Sequence, residues 1–272
     1  MDTHGLIPSL FRAPRALIGC VHVQALPGTP RAEHGIQDVI AAAVQDARAY
    51  RDAGFHGLVL ENMHDRPYLK RGVGPEIVAA MTAVVQRVRA EVALPLGVQI
   101  LAGANQAAVA VAHAAGAEFV RVEGFAFAHV ADEGIIESDA AALLRYRRAI
   151  GAERVRVFAD IKKKHSAHAI TADVDLADTA HAAEFFLADG LIVTGSATGR
   201  PTDPADVHAV SAAVHIPTLV GSGLTPDNAL HLGEADGFIV GTAAKVDGDW
   251  TKPVDAARAA ALVRAVAKLP AR

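Results

Sequence analysis

Leu17-Ile18-Gly19-Cys20-Val21-His22-Val23 runs into Gln24-Ala25-Leu26-Pro27-Gly28, and the reading of that junction decides the fold. The first seven residues are an apolar run without polar alternation, as expected of a strand buried on both faces in a parallel sheet. An open, doubly wound sheet that binds a dinucleotide would carry G-x-G-x-x-G after such a strand, and this turn does not. Seven similar runs follow, at Gly57–Glu61, Leu96–Leu101, Glu118–Glu123, Val155–Ile161, Gly190–Thr194, Thr218–Val220 and Gly237–Val240. Helical patterns follow them around residues 36–53, 75–92, 105–115, 139–150, 173–188, 203–213, 226–233 and 253–268. Eight strand–helix units without a long linker predict an α/β fold, a single (β/α)8 barrel over 16–272, with residues 1–15 as a short N-terminal extension that covers the barrel bottom or an oligomer contact.

Local chemistry marks several boundaries. Asp203-Pro204 and Thr225-Pro226 place a capping residue before Pro at the first helical position. Gly54 and Gly116 sit just past helix ends. Ser138 offers a single hydroxyl as a cap. Two longer connections, His64 to Gly74 and Phe125 to Ser138, read as loops over the mouth, of the kind that act as lids or specificity elements.

Composition narrows the function classes. The chain has 272 residues, 51% of them hydrophobic, and a net charge of -4. That balance, with no basic block beyond Lys162-Lys163-Lys164, argues against a nucleic-acid partner, and the lysine run reads as a solvated loop. Residues 1–15 lack the order of a signal peptide, and the apolar stretch Val92 to Val122 is too interrupted to be a membrane span. The single cysteine, Cys20, reads as a buried, inert thiol, which suits the cytoplasm. His113, His181, His208 and His231 fall in helical stretches as surface or packing residues. Alanine-rich helix faces permit close packing within the barrel or between copies in a homo-oligomer.

Active sites in this architecture sit at the C-terminal strand ends. The strongest signal there is Val220-Gly221-Ser222-Gly223-Leu224-Thr225-Pro226-Asp227-Asn228. Glycines allow backbone N–H groups close to an anion, and a helix beginning at Thr225-Pro226 would add its dipole. The next strand ends in Gly241-Thr242, so the loops after the seventh and eighth strands predict a phosphate site, with Thr194 and Gly195 beside it. His22, Glu61 and Asp160 are candidate acid–base groups, with Lys162 and His165 following the fifth strand. Lys162 reads as a charge partner for Asp160 in preference to a Schiff-base lysine. Arg121 and Glu123, two apart on one strand face, read as an ion pair, or Arg121 binds an anionic substrate with Asn62 nearby. No cofactor is implied, although His22, Glu61, Glu123 and Asp160 could together hold a divalent metal.

These residues carry a resemblance to a known family. Ile18-Gly19-Cys20-Val21-His22 with Leu26-Pro27-Gly28, Leu60-Glu61-Asn62 with Asp65 and Pro67, and Leu94-Pro95-Leu96-Gly97-Val98 begin it. Phe119-Val120-Arg121-Val122, Asp132 with Gly134-Ile135-Ile136, Asp160 with Lys164-His165, and Thr194-Gly195 with Thr198-Gly199 continue it. Leu219-Val220-Gly221-Ser222-Gly223 with Asn228, and Val240-Gly241-Thr242 with Lys245, complete it. The chain resembles the BtpA/SgcQ family along nearly its whole length. The resemblance implies a TIM barrel of the ribulose-phosphate-binding kind. The family takes its name from a role in photosystem I biogenesis, and a nucleosidase-like activity has been suggested for relatives. The sequence departs from the family pattern at Gln99, at Ala102-Gly103-Ala104, where a polar run is common, and at Glu123, where Asn is common.

Residues and resemblance together predict an enzyme acting on a small phosphorylated metabolite or sugar phosphate, of lyase, isomerase or nucleosidase type. The competing readings are a non-catalytic assembly factor for a membrane protein complex and a metal-dependent hydrolase.

Overall fold

The computed structural model describes residues 5–195 and 201–270. In chain order the helices and strands are α1 (Leu6–Phe11), β1 (Ala16–His22), α2 (Ile36–Ala53), β2 (Gly57–Glu61), α3 (Pro75–Glu91), β3 (Leu96–Gln99), α4 (Asn105–Ala115) and β4 (Phe119–Val122). They continue with β5 (His129–Ala131), β6 (Gly134–Ile136), α5 (Ala140–Ala149), β7 (Arg156–Ile161), β8 (Ser166–Ala167), α6 (Leu176–Phe185), β9 (Gly190–Val193), α7 (Pro204–Ala213), β10 (Thr218–Val220), β11 (Gly237–Val240) and α8 (Ala256–Val266). β1, β2, β3, β4, β7, β9, β10 and β11 close into a parallel barrel, with β11 pairing back onto β1.

The unalternating apolar runs meet apolar surroundings on both sides. Ile18, Cys20, Val59, Phe119, Phe158, Ile192, Leu219 and Ile239 fill the barrel interior, while Leu17, Val21, Leu58 and Leu60 face the helical ring. A Cβ at Gly97 would lie 2.1 Å from the Phe119 ring, so the bulk of Phe119 is accommodated only because its neighbour has no side chain. Gly97→Ala is expected to cost about 1–3 kcal/mol of stability, the usual penalty for overpacking, measured by urea unfolding. An unchanged midpoint and slope would show that the ring moves aside freely.

Helix α1 caps the N-terminal end of the barrel. Phe11 meets Phe119 edge-on at 5.6 Å between ring centroids, and Phe119 meets Phe158 in the same way. Arg15 fastens the junction by donating to the carbonyls of Ala235, Gly233 and Pro270.

Three local expectations are corrected. The helix expected over 226–233 is replaced by a single 3-10 turn at Ala229–Leu232. Thr225 N–H donates to Asn228 Oδ1 and Asn228 N–H donates to Thr225 Oγ1, a closed exchange that satisfies the groups an α-helix would have needed. No helix dipole therefore points at the cavity from Thr225. The second correction is at Ser138, whose hydroxyl donates to Phe125 O and caps nothing. The third concerns Phe125 to Ser138, which is largely ordered: β5 and β6 form a hairpin that pairs with β8 into a three-stranded antiparallel sheet. By contrast Asp203 does cap α7, accepting from Ala205 N–H, and Gly54 and Gly116 end their helices in the left-handed conformation.

Candidate active site at the barrel mouth

The C-terminal strand ends converge on a cavity of about 290 Å³. At its centre is Arg121 of β4, buried together with both its partners. Its Nε and Nη2 donate to Asp160 Oδ2 and Oδ1 at 2.8 and 2.9 Å, and its Nη1 donates to Glu61 Oε1 at 3.2 Å. The neighbouring carboxylates hold the guanidinium charged against the cost of burial. Arg121 thus pairs with the neighbouring strand β7 and with β2, two strands away, and not with Glu123 just past the end of its own strand. Glu123 is engaged elsewhere, accepting from Lys163 Nζ at 3.0 Å and Gln99 Nε2 at 3.1 Å. Burial nevertheless pushes the Glu123 carboxyl up.

His22 leaves the end of β1 in register with Glu61 on β2. Its Nδ1 lies 2.8 Å from Trp250 O, and a neutral ring meeting a carbonyl must place its proton on that nitrogen. Nε2 therefore carries a lone pair on the side of Gly241, where an added Cβ would come within 2.7 Å of it. Burial, reinforced by the positive charge of Lys245, pushes His22 down from 6.5 to about 3. The native state thus prefers the neutral ring, and stability present above about pH 6.5 is lost as pH falls toward about 3. One such group contributes a slope of about 1.4 kcal/mol per pH unit. His22→Asn is expected to flatten the acid limb of a urea-stability profile between these values. Equal slopes in variant and wild type would assign the linkage to other histidines, such as His64 and His129, which burial also lowers.

Cys20, two residues before His22 on the same inward face of β1, completes the group. Burial, and the charge of Glu61 beside it, raise the thiol well above its ordinary range. The ligand-type atoms of Cys20, His22 and Glu61 all lie within 4.8 Å of one another. Of the four residues that the sequence left open as an alternative metal set, Asp160 has both oxygens on Arg121 and Glu123 has its own on Lys163 and Gln99.

The other end of the cavity is made by the turns after β10 and β11. Gly221, Ser222, Gly223, Gly241 and Thr242 all line it. Gly221 N–H is spent on Val193 O, but the N–H groups of Ser222, Gly223, Thr242 and Ala243 make no bond to any described residue. Ser222 Oγ accepts from Gly195 N–H, and Thr194 Oγ1 accepts from Lys164 N–H, so Thr194 and Gly195 buttress the cavity from behind. Thr198 and Gly199 lie outside the described residues. Arg258 reaches the same rim from α8, anchored by its Nε on Ala243 O. A buried pair, Lys245 with Asp46, ties this turn to α2, and Asp46 also accepts from Val254 N–H.

Several sequence candidates are displaced. Lys162 adopts φ 42 and sends its ammonium out to the carbonyls of Thr171 and Val174. It is no partner of Asp160. After that turn it is Lys164 that lines the cavity, its pKa lowered by burial and by Arg121. The lysine run is therefore not a solvated loop. His165 stands exposed beside a wider outer recess with Gln99 and Asp132. Asn62 turns away from the cavity, donating to Asp65 Oδ2 and accepting from Leu101 N–H, while Asp65 accepts from Leu26 N–H. Arg71, unremarked in the sequence, binds the carbonyls of Gly103, Glu123, Gly124 and Glu137 and the carboxylate of Asp139. It ties three mouth loops into one unit. Trp250 was also missed; besides His22 it carries the His64 ring at 4.8 Å and the Arg66 guanidinium at 4.7 Å.

The profile of the BtpA family matches residues 13–268. The chain belongs to the BtpA family. Among similar proteins, an uncharacterized mitochondrial protein of Caenorhabditis elegans is 42% identical over 93% of this chain and 94% of its own length. An uncharacterized protein of Pyrococcus furiosus is 40% identical over 92% of this chain and 94% of its own. The photosystem I biogenesis protein BtpA of Synechocystis sp. is 36% identical over 95% of this chain and 90% of its own. Solved structures place this BtpA-family chain among TIM barrels. Thiamine phosphate pyrophosphorylase from Pyrococcus furiosus matches with a TM-score of 0.57 at 14% identity, over 94% of this chain and 98% of that one. Phosphoribosyl anthranilate isomerase from Thermus thermophilus matches with a TM-score of 0.57 at 14% identity, over 94% and 100%. No helix among the described residues is long and apolar enough to cross a membrane.

Proposed function

We propose that the protein is an enzyme acting on a small phosphorylated metabolite by acid–base chemistry. The observation that carries this reading is the two-ended cavity. One end offers N–H groups of Gly223, Thr242 and Ala243 that bond no described residue, with Arg258 on the rim, and the other offers Glu61 and the Nε2 of His22, which has no partner among the described residues. Phosphate would rest on the first end, where oriented amides and a cation favour a dianion. The reacting atoms would then lie against Glu61 and His22, which exchange protons with them. Asp160 has both oxygens committed to Arg121, so its role is to position Arg121 and, through it, Glu61. Two structural neighbours, named for thiamine phosphate and phosphoribosyl anthranilate chemistry, support the phosphorylated substrate class. Lyase, isomerase and nucleosidase chemistry are each compatible with this inventory.

Inorganic phosphate is the first probe. It is expected to raise the melting temperature of the purified protein beyond an equal ionic strength of chloride. Arg258→Gln, an exposed change, is expected to weaken that binding about tenfold through loss of a charge-assisted hydrogen bond. A phosphate effect no larger than that of chloride would overturn the anion site. A screen of sugar phosphates and nucleotides by the same readout then finds the substrate.

The name of the Synechocystis relative supports a second reading, an assembly factor for a membrane protein complex. Complex assembly that survives Glu61→Gln would favour it over catalysis.

A further inference from the structure

Cys20, His22 and Glu61 form a constellation that acid–base chemistry alone does not need. Residues two apart on a strand project to the same face, so Cys20 and His22 both enter the barrel, and strand register brings Glu61 opposite His22. One sulfur, one imidazole nitrogen and one carboxylate oxygen meet within 4.8 Å, all buried. We propose that these three side chains bind one divalent transition-metal ion of borderline softness, with zinc the best-fitting class, and leave a fourth position open to the cavity.

Four observations carry it. A mixed sulfur, nitrogen and oxygen donor set suits zinc-like ions, whereas calcium and magnesium take oxygen donors. The Nδ1–H of His22 is held by Trp250 O, the outer contact that orients a metal-binding imidazole, and leaves Nε2 as the ligand. Glu61 is steadied by Arg121 in the same manner. Gly241 keeps the space before Nε2 clear, since any Cβ there would stand 2.7 Å from that nitrogen. Three protein ligands with one open position is the arrangement of catalytic zinc sites. Charge balances as well: binding releases the Cys20 thiol proton to solvent, and thiolate with carboxylate neutralises the dication, while Arg121 keeps Asp160. With the ion bound, His22 Nε2 and one Glu61 oxygen are ligands and not proton carriers, so a loaded site replaces that part of the acid–base reading and leaves the anion end common to both.

The full chain would be stripped with chelator, loaded with Co²⁺, and passed through gel filtration. Cys20 is the single cysteine of the sequence, so a thiolate-to-cobalt charge-transfer band in the near ultraviolet has one source. The expected result is about one retained cobalt per chain with that band, displaced by Zn²⁺. Cys20→Ser should abolish the band, and His22→Gln should lose retention. No retained cobalt in the wild type, or retained cobalt without the band, overturns the proposal. Because the wild-type spectrum decides the matter, a variant that fails to fold leaves the test intact. The phosphate melting shift, measured on the same stripped protein, stands or falls separately.

Discussion

Arg121→Met is expected to destabilise the barrel by about 3–5 kcal/mol, the cost of leaving buried charge without its partner. Arg121 donates to both oxygens of Asp160 and to Glu61, and all three side chains are buried in the barrel centre. Methionine approximates the volume of the arginine stem but supplies no donor, so the loss is electrostatic and not a cavity. Adding Glu61→Gln and Asp160→Asn to Arg121→Met should recover most of the stability, because neutral amides no longer require a cation. Urea unfolding of wild type, single and triple variants measures both effects. A single variant within about 1 kcal/mol of wild type would mean that water reaches the pair and screens it, as at an exposed site.

The second large effect is on turnover. With the substrate found by the metabolite screen, Glu61→Gln is expected to lower kcat by about 10²- to 10⁴-fold, the usual contribution of a proton-transferring group. Glutamine keeps an oxygen for Arg121 Nη1, so the barrel should remain folded, and phosphate should still raise the melting temperature. The pairing of lost kcat with retained anion binding is the signature of a group at the reacting end. If KM rises while kcat holds, Glu61 binds substrate and does not move protons.

The barrel was legible because parallel strands buried on both faces leave apolar runs that need no partner to be recognised. Gly221, Ser222, Gly223, Gly241 and Thr242 were legible for the related reason that a strand end followed by glycine fixes where the mouth lies. What sequence could not give was direction within the loops. Lys162 and Lys164 differ only by two positions, and the left-handed turn at Lys162 decides which one reaches the cavity. Arg258 lies one turn into a helix that begins well after the Gly241 turn, so proximity to the anion end depends on how that helix docks. Cys20 and His22, two apart on β1, share a face, but the unalternating apolar run hid that pairing and the thiol read as inert. Thr225-Pro226 carried a genuine helix-start signal, yet its side chain and that of Asn228 close on each other before a helical turn can form.

The aromatic floor beneath the mouth shapes the electric field above it. Phe11, Phe119 and Phe158 meet edge-on below Arg121 and form an apolar, low-dielectric floor on that side. Field lines from the buried charges are therefore refracted toward the open end and not dissipated through the base. Lys164 and Arg258 stand at that end and supply the positive potential that the proposed anion would meet, since Arg121 with Glu61 and Asp160 is net negative. Helix α1, at the opposite end from the chemistry, thus acts as the insulating wall of an electrostatic lens.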